Sequence, residues 1–100
     1  MERNNLYPIF IKMHNIQTLI VGGGNVAFEK LTFLLKSSPN ANVEMVAPFF
    51  RDEVKVLAAQ FHINLIQRAY DSAFLCDKDL VIAATDNEGV NKQIYKDAKW

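Results

Sequence analysis

Short, mostly apolar runs recur along the chain at intervals that suit β-strands. They occupy residues 18–21, 42–47, 63–66 and 80–84. The run at 18–21 is rich in apolar and β-branched residues, which is typical of a strand covered on both faces. Residues 6–13 form a further extended stretch, and Pro8 near its start suits an edge strand.

Between these runs, apolar residues recur three or four positions apart, as on one face of a helix. This spacing predicts a helix from residue 27 to the Pro39-Asn40 pair, a second over residues 54–61 and a third from residue 90 to the chain end. Strands that alternate with helices form parallel βαβ units. The pattern therefore predicts an α/β fold with a doubly wound, mostly parallel sheet.

Composition indicates an ordinary globular domain. Of the 100 residues, 50% are apolar and 22% are charged, and 11 basic residues balance 11 acidic ones. This hydrophobicity without net charge argues against disorder, and the lack of a basic excess argues against nucleic-acid binding. No apolar run approaches the roughly 18 residues that span a membrane. We therefore expect a cytoplasmic domain with neither a nucleic-acid nor a membrane partner.

Cys76 is the single cysteine, so the chain has no disulfide framework and no paired-cysteine metal motif. We expect it to be a small buried apolar residue. Neither His14 nor His62 has a second metal-type residue at a fixed spacing, and no metal site is predicted. No Ser-His-Asp or Cys-His arrangement is visible either.

The segment GGGNVA at residues 22–27 carries the clearest chemistry. It fits the pattern G-x-G-x-x-G/A and stands directly after a buried strand and before an amphipathic helix, as in Rossmann-type domains. Gly22 permits a tight turn, Gly24 lacks the Cβ that would keep a diphosphate from the backbone, and Ala27 lets helix and strand approach closely. Amides of the first helical turn would then face the anion. A turn needed only for tight packing is the alternative.

The end of the second predicted strand departs from the usual dinucleotide-binding pattern. An Asp or Glu about 20 residues after the glycine turn normally binds the ribose hydroxyls, whereas this chain has Ala47, Pro48 and Phe49 there. Glu44 lies inside the strand and is predicted to point away. The adenosine ribose would then rest on backbone groups. Arg51 either approaches a 2′-phosphate, which leaves NADP open, or is a solvated residue at a helix start.

A second candidate contact follows the fourth predicted strand. The strand ends in Ala83 and Ala84, which leave room for a ribose on the nicotinamide side, and Thr85 and Asp86 could hydrogen-bond that ribose. The same segment has the form T-x-x-E of a capping box, in which Thr85 caps the last helix and Glu88 reaches back to it. The two roles are compatible, since an oxygen can cap while the backbone faces a ligand.

Several motifs together resemble a known family. They are LYPIF at residues 6–10, LIVGGGNVA at 19–27 with Lys30, VAP at 46–48, and DLVIAATD at 79–86 with Asn91. Combined, they resemble the N-terminal domain of siroheme synthase, the precorrin-2 dehydrogenase and sirohydrochlorin ferrochelatase family. The resemblance covers nearly the whole chain and is far more specific than the glycine motif alone.

The resemblance implies a function beyond what the spacing indicates. Members of the family use NAD to oxidise precorrin-2 to sirohydrochlorin, and many also insert ferrous iron to give siroheme. Carried over by position, the cofactor contacts would be Gly22, Gly23, Gly24, Asn25, Val26, Ala47, Pro48, Phe49, Ala84, Thr85 and Asp86. The lack of an acidic residue after the second strand is then a trait of the family.

The resemblance also implies what residues 1–100 lack. The catalytic aspartate of the family follows a strand beyond the last helix, so we expect it beyond Trp100 and assign no catalytic residue here. Residues 1–100 would then be one NAD-binding domain, truncated on its C-terminal side and inactive alone, from a longer enzyme that forms a homodimer.

Two other functions use a similar turn. A non-catalytic nucleotide-sensing module would carry the same binding residues, and nothing within residues 1–100 separates it from the enzyme domain. An S-adenosylmethionine-dependent methyltransferase fits less well, because it normally needs an acidic residue after the second strand, where Pro48 stands.

Overall fold

Residues 16–99 are described by a computed structural model in which strands and helices alternate as the sequence predicts. The strands are β1 (Gln17–Val21), β2 (Asn42–Ala47), β3 (Asn64–Gln67) and β4 (Leu80–Ala83). The helices are α1 (Asn25–Ser37), α2 (Asp52–Phe61) and α3 (Glu88–Ala98), and a short 3₁₀ helix, Ser72–Leu75, lies between β3 and β4. The predicted edge strand at 6–13 lies outside the described residues.

The four strands form one parallel sheet in the order β3-β2-β1-β4. β1 lies inside the sheet, with Ile20 opposite Met45 of β2 and Ile82 of β4. The chain builds outward from β1 to β2 and β3, then returns to the other side of β1 for β4, so the strand order reverses at β1. Ligands of open α/β sheets bind beyond the carboxyl ends of the strands at such a switch point.

Side chains of β1 alternate between two hydrophobic clusters, one on each face of the sheet. Ile20 packs into the first cluster with residues of α1 and α2, whereas Leu19 and Val21 pack into the second with Ile94 of α3. These three β1 side chains are at most 1% exposed. Helices thus cover both faces of the sheet, which confirms the predicted doubly wound arrangement.

The N-terminus of α1 has no side-chain cap among residues 16–99. Ala27, Leu31 and Leu35 form the stripe that this helix buries. Its N-cap residue is Gly24, and no side chain of the described residues accepts a hydrogen bond from the first turn. The leading amides of a helix have no partner within the helix itself. Those of α1 are therefore available to water or to a ligand.

The start of α3 differs from the predicted capping box. α3 begins at Glu88, and its N-cap is Asn87, whose side chain accepts a hydrogen bond from the amide of Val90 at 3.0 Å. Thr85 lies two residues before this cap, and its hydroxyl instead donates to Asn91 at 2.6 Å. The prediction was wrong because Asn87 stands nearer the first turn, and Asn caps helices better than Thr.

Cys76 is exposed, whereas the sequence predicted a buried residue. It directly follows the 3₁₀ helix, which begins after Asp71, whose carboxylate accepts a hydrogen bond from the amide of Ala73 at 3.0 Å. Phe74 and Leu75 pack against the second hydrophobic cluster. So short a helix turns few side chains inward, and Cys76 lies just past the two that it partly buries.

Residues 16–99 contain neither a membrane-spanning helix nor a metal-binding cluster. No helix there is long and apolar enough to span a membrane. No group of three or more His, Cys, Asp or Glu residues there is arranged to hold a metal ion.

Candidate nucleotide-binding site

A cavity of about 1080 Å³ opens at the carboxyl ends of the strands. Its volume lies just above the roughly 300–1,000 Å³ that is usual for small-molecule and cofactor sites. All eleven residues of the predicted site line it: Gly22, Gly23, Gly24, Asn25, Val26, Ala47, Pro48, Phe49, Ala84, Thr85 and Asp86. The fold thus brings the ends of β1, β2 and β4 together, while contact of these residues with a cofactor stays a prediction.

The first two glycines are required by the backbone around them. Gly22 has a φ of +140°, which side chains rarely adopt, and a Cβ there would collide with the carbonyl oxygen of Ala84. A Cβ at Gly23 would collide with the carbonyl oxygen of Phe49. A hydrogen bond also joins this loop to the glycine turn, since the amide of Arg51 donates to the carbonyl of Gly23 at 2.8 Å. The glycine turn therefore packs directly between the loop that follows β2 and the loop that follows β4.

Gly24 differs from the other two glycines. A Cβ at this position would meet no atom of the described chain within 4 Å. Gly24 directly precedes α1, and Asn25 and Val26 of the first turn are exposed on the cavity wall. Helix N-termini bind anions through free amides and the positive end of the helix dipole. The open space and the uncapped amides fit a diphosphate that lies close to the backbone.

The end of β2 supplies a mostly apolar wall. Ala47 is buried, whereas Pro48 is exposed and Phe49 is 68% exposed. Glu44 does not line the cavity, in agreement with its predicted orientation. Its carboxylate instead forms an ion pair with Lys78 at 3.1 Å. The adenosine side of the cavity therefore receives no carboxylate from β2.

Arg51 also lines the cavity, just before the first residue of α2. Its Nε donates to Oε1 of Glu53 at 3.3 Å and its Nη2 donates to Oε2 at 3.1 Å. This hydrogen-bonded pair raises the pKa of Arg51 and lowers the pKa of Glu53. Arg51 thus lies at a helix start and also lines the cavity, while its contact with a 2′-phosphate stays a prediction.

Asn91 of α3 fixes the loop that follows β4. Its side-chain oxygen accepts from the Thr85 amide at 3.2 Å, and its side-chain nitrogen donates to the Thr85 carbonyl at 3.1 Å. The Thr85 hydroxyl is also engaged with Asn91, whereas the Asp86 side chain is exposed. Sequence reasoning noted Asn91 only as part of the family motif and did not foresee this clamp.

Tyr70 and Gln93 line the cavity as well, although no sequence motif pointed to them. The Tyr70 hydroxyl donates to Oδ2 of Asp97 at 2.7 Å, and the Gln93 amide donates to Oδ1 of the same carboxylate at 2.8 Å. Helical spacing could have linked Gln93 with Asp97. Tyr70 precedes Asp97 by 27 residues, and that contact has no local signal. The bond from Tyr70 joins the loop after β3 to α3, and the bond from Gln93 orients the Asp97 carboxylate within α3.

We expect a Tyr70→Phe variant to lose about 1 kcal/mol of stability at neutral pH, because a hydrogen bond to a charged, partly exposed acceptor is lost. Burial and the Asp97 carboxylate raise the pKa of Tyr70 above its ordinary value of 10.0. The folded chain therefore favours the protonated phenol, and this contribution is complete below pH 10 and declines as the pH rises further. Urea unfolding of both proteins at pH 7 and at about pH 11 measures the change. A difference that stays constant between these pH values would contradict the assignment.

An open helix N-terminus directly above a glycine turn, at the switch point of a parallel sheet, is the arrangement with which Rossmann-type domains bind the diphosphate of a nucleotide. By its geometry the chain is such a nucleotide-binding domain. Residues 9–100 match a family model described as "Putative NAD(P)-binding". The chain therefore belongs to this NAD(P)-binding family, and the predicted cofactor, NAD, is confirmed at the level of the family.

Curated relatives that share this region are siroheme synthases. The one from Psychrobacter cryohalolentis is 37% identical over 94 residues, which cover 94% of this chain and 18% of that protein. The one from Pseudoalteromonas translucida is 42% identical over 89 residues, which cover 89% of this chain and 18% of that protein. The chain thus spans about a fifth of the length of these relatives. They confirm the resemblance that the sequence motifs carry.

A solved structure of SirC, a precorrin-2 dehydrogenase, matches the fold. The TM-score is 0.77 at 22% identity, and the match covers 89% of this chain and 44% of that chain. At this identity the likeness concerns the fold alone. It confirms the Rossmann-type α/β architecture predicted from the sequence.

Proposed function

We propose that this chain binds NAD in the cavity at the carboxyl edge of its sheet, with the cofactor's diphosphate on the backbone of residues 22–26. The observation that carries the proposal is the open space beside Gly24, next to an uncapped helix N-terminus. Packing within the described chain does not require a glycine there, whereas close approach of a diphosphate does.

The two halves of the cofactor follow from the strand order. Since β1 lies between β2 and β4, a dinucleotide that crosses the glycine turn reaches the ends of both neighbours. Its adenosine would lie over residues 47–49, and the ribose on the nicotinamide side would lie over residues 84–86. Tyr70 and Gln93 would contribute to the wall beyond the diphosphate.

We propose in addition that the chain is the cofactor-binding part of a dehydrogenase that oxidises precorrin-2 to sirohydrochlorin. The support is its likeness to siroheme synthases and to the fold of a precorrin-2 dehydrogenase. NAD supplies the hydride acceptor, and the residues of this chain would bind it and orient its nicotinamide. No catalytic residue is assigned within residues 1–100, and these residues alone are not expected to turn over precorrin-2.

Four further features are proposed from the family resemblance of the sequence alone. They are ferrous iron as a second substrate, a homodimer for the full-length enzyme, a cytoplasmic location, and residues 1–100 as one domain of that enzyme. No contact among residues 16–99 bears on them.

Calorimetric titration of the chain with NAD tests the binding proposal directly. We expect one NAD per chain, and NAD at a hundredfold excess over its Kd should stabilise the fold by about 2.7 kcal/mol. For a domain of this size that corresponds to a rise in Tm of about 10 °C. Absence of both a binding heat and a Tm shift at millimolar NAD would overturn the proposal.

A further inference from the structure

The cavity has an acidic residue at its nicotinamide side and a basic residue at its adenosine side. Among the described residues that line it, the acidic one is Asp86, which follows β4, and the basic one is Arg51, which follows β2. The end of β2 is where Rossmann-type domains contact the adenosine ribose. A carboxylate there favours NAD, whereas an arginine accommodates the 2′-phosphate of NADP. By this rule the wall around Arg51 would favour NADP.

Arg51 is fixed at this wall by its own backbone. Its amide donates to the carbonyl of Gly23 at 2.8 Å, so its Cα is tied to the turn on which the diphosphate is proposed to lie. The side chain is 43% exposed, and both of its hydrogen bonds to another side chain go to Glu53. The position of the guanidinium beside the cavity thus depends on Glu53.

We propose that Glu53 sets the preference of this site for NAD over NADP by holding the Arg51 guanidinium in a two-point ion pair. This inference rests on the proposed NAD site. Glu53 does not line the cavity. It acts through Arg51 and is therefore a specificity-determining residue that contacts no cofactor itself.

Competition between two anions explains the effect. The fork of an arginine binds a carboxylate or a phosphate with parallel N–H groups. In this structure Nε and Nη2 both donate to Glu53, so a 2′-phosphate that binds this edge of the guanidinium would have to displace that carboxylate. The raised pKa of Arg51 and the lowered pKa of Glu53 have the same cause. Because the pair is exposed to water, the carboxylate weakens NADP binding without abolishing it.

The test compares the Kd values of NAD and NADP, measured by calorimetry, for the wild type and four variants. Glu53→Gln should tighten NADP binding about threefold, because an exposed ion pair holds its partners only weakly, and should leave the Kd of NAD nearly unchanged. Arg51→Gln should weaken NADP binding about fivefold, since a charge-assisted hydrogen bond to the phosphate is lost. In the double variant the effect of Glu53→Gln should vanish.

Asp52→Asn is the matched control. It removes one negative charge from the same helical turn, and Asp52 forms no hydrogen bond with Arg51 among those of the described residues. Its two Kd values should resemble those of the wild type. An equal gain in NADP affinity in Asp52→Asn would overturn the proposal, as would a gain from Glu53→Gln that persists in the double variant. A wild type that binds neither nucleotide would instead refute the proposed function.

Discussion

Replacing Gly23 by alanine is expected to destabilise the folded chain by about 3 kcal/mol, because the new methyl group cannot be accommodated without moving backbone. Its Cβ would collide with the carbonyl oxygen of Phe49 and would also press on the ring of Phe50. To relieve the collision, the loop after β2 must retreat from the glycine turn and break the hydrogen bond from Arg51 to Gly23. Such a loss is a large part of the roughly 5–15 kcal/mol by which domains are usually stable.

Urea unfolding measures this loss, and Gly24→Ala is the matched control. It adds the same methyl group to the neighbouring residue, where a Cβ meets no atom within 4 Å and φ is −103°. We expect the control to keep its free energy of unfolding to within about 1 kcal/mol of the wild type, the range typical of exchanges at an N-cap. Equal stability of the two variants would show that Gly23 is not constrained by the loop after β2.

The fold could be predicted from the sequence because its signals are local. The predicted bounds of β2 coincide with those of the structure, β1 and β4 each differ by one residue at one end, and β3 is shifted by one residue toward the C-terminus. Once the strands are known to be parallel, their carboxyl ends must meet at one edge of the sheet. For that reason the hydrophobic pattern alone is enough to group the residues that follow β1, β2 and β4 into one site.

The unpredicted parts of the site depend on contacts between distant segments. Gly23 occupies a variable position of the glycine motif, and the close approach of Phe49 and Phe50 makes a glycine necessary there. Tyr70 reaches the cavity wall through a hydrogen bond to Asp97, and no periodicity connects the two. Both contacts are set by how loops cross the sheet edge, which the hydrophobic pattern does not specify.

The two errors of the sequence analysis are local ambiguities of a different kind. The segment TDNE at residues 85–88 contains three residues that can cap a helix, Thr85, Asp86 and Asn87, and the pattern T-x-x-E favours Thr85. The helix begins after Asn87. For Cys76, residue type alone predicted burial, whereas in the structure its neighbours Phe74 and Leu75 pack against the second cluster and Cys76 is exposed.

A Gly24→Val variant is expected to fold and yet to bind NAD at least about a hundredfold more weakly than the wild type, the loss expected when one or two charge-assisted hydrogen bonds are broken. The valine side chain would occupy the space beside Gly24 in which no atom of residues 16–99 lies. A diphosphate could then no longer approach the first amides of α1. Calorimetry with NAD measures the loss, and urea unfolding without ligand checks that the fold is retained.

Adenosine, which has no phosphate, is the ligand control for this variant. It should bind to the wild type and to Gly24→Val with similar affinity, because its proposed contacts lie at the end of β2 and not at the glycine turn. If the variant lost affinity for NAD and for adenosine equally, the substitution would have disturbed the whole cavity and not the diphosphate site alone. A folded variant that still binds NAD with wild-type affinity would show that the diphosphate does not bind at the glycine turn. The dinucleotide would then have to cross the sheet edge by another route, although the uncapped amides of α1 are the structural feature best suited to its charge.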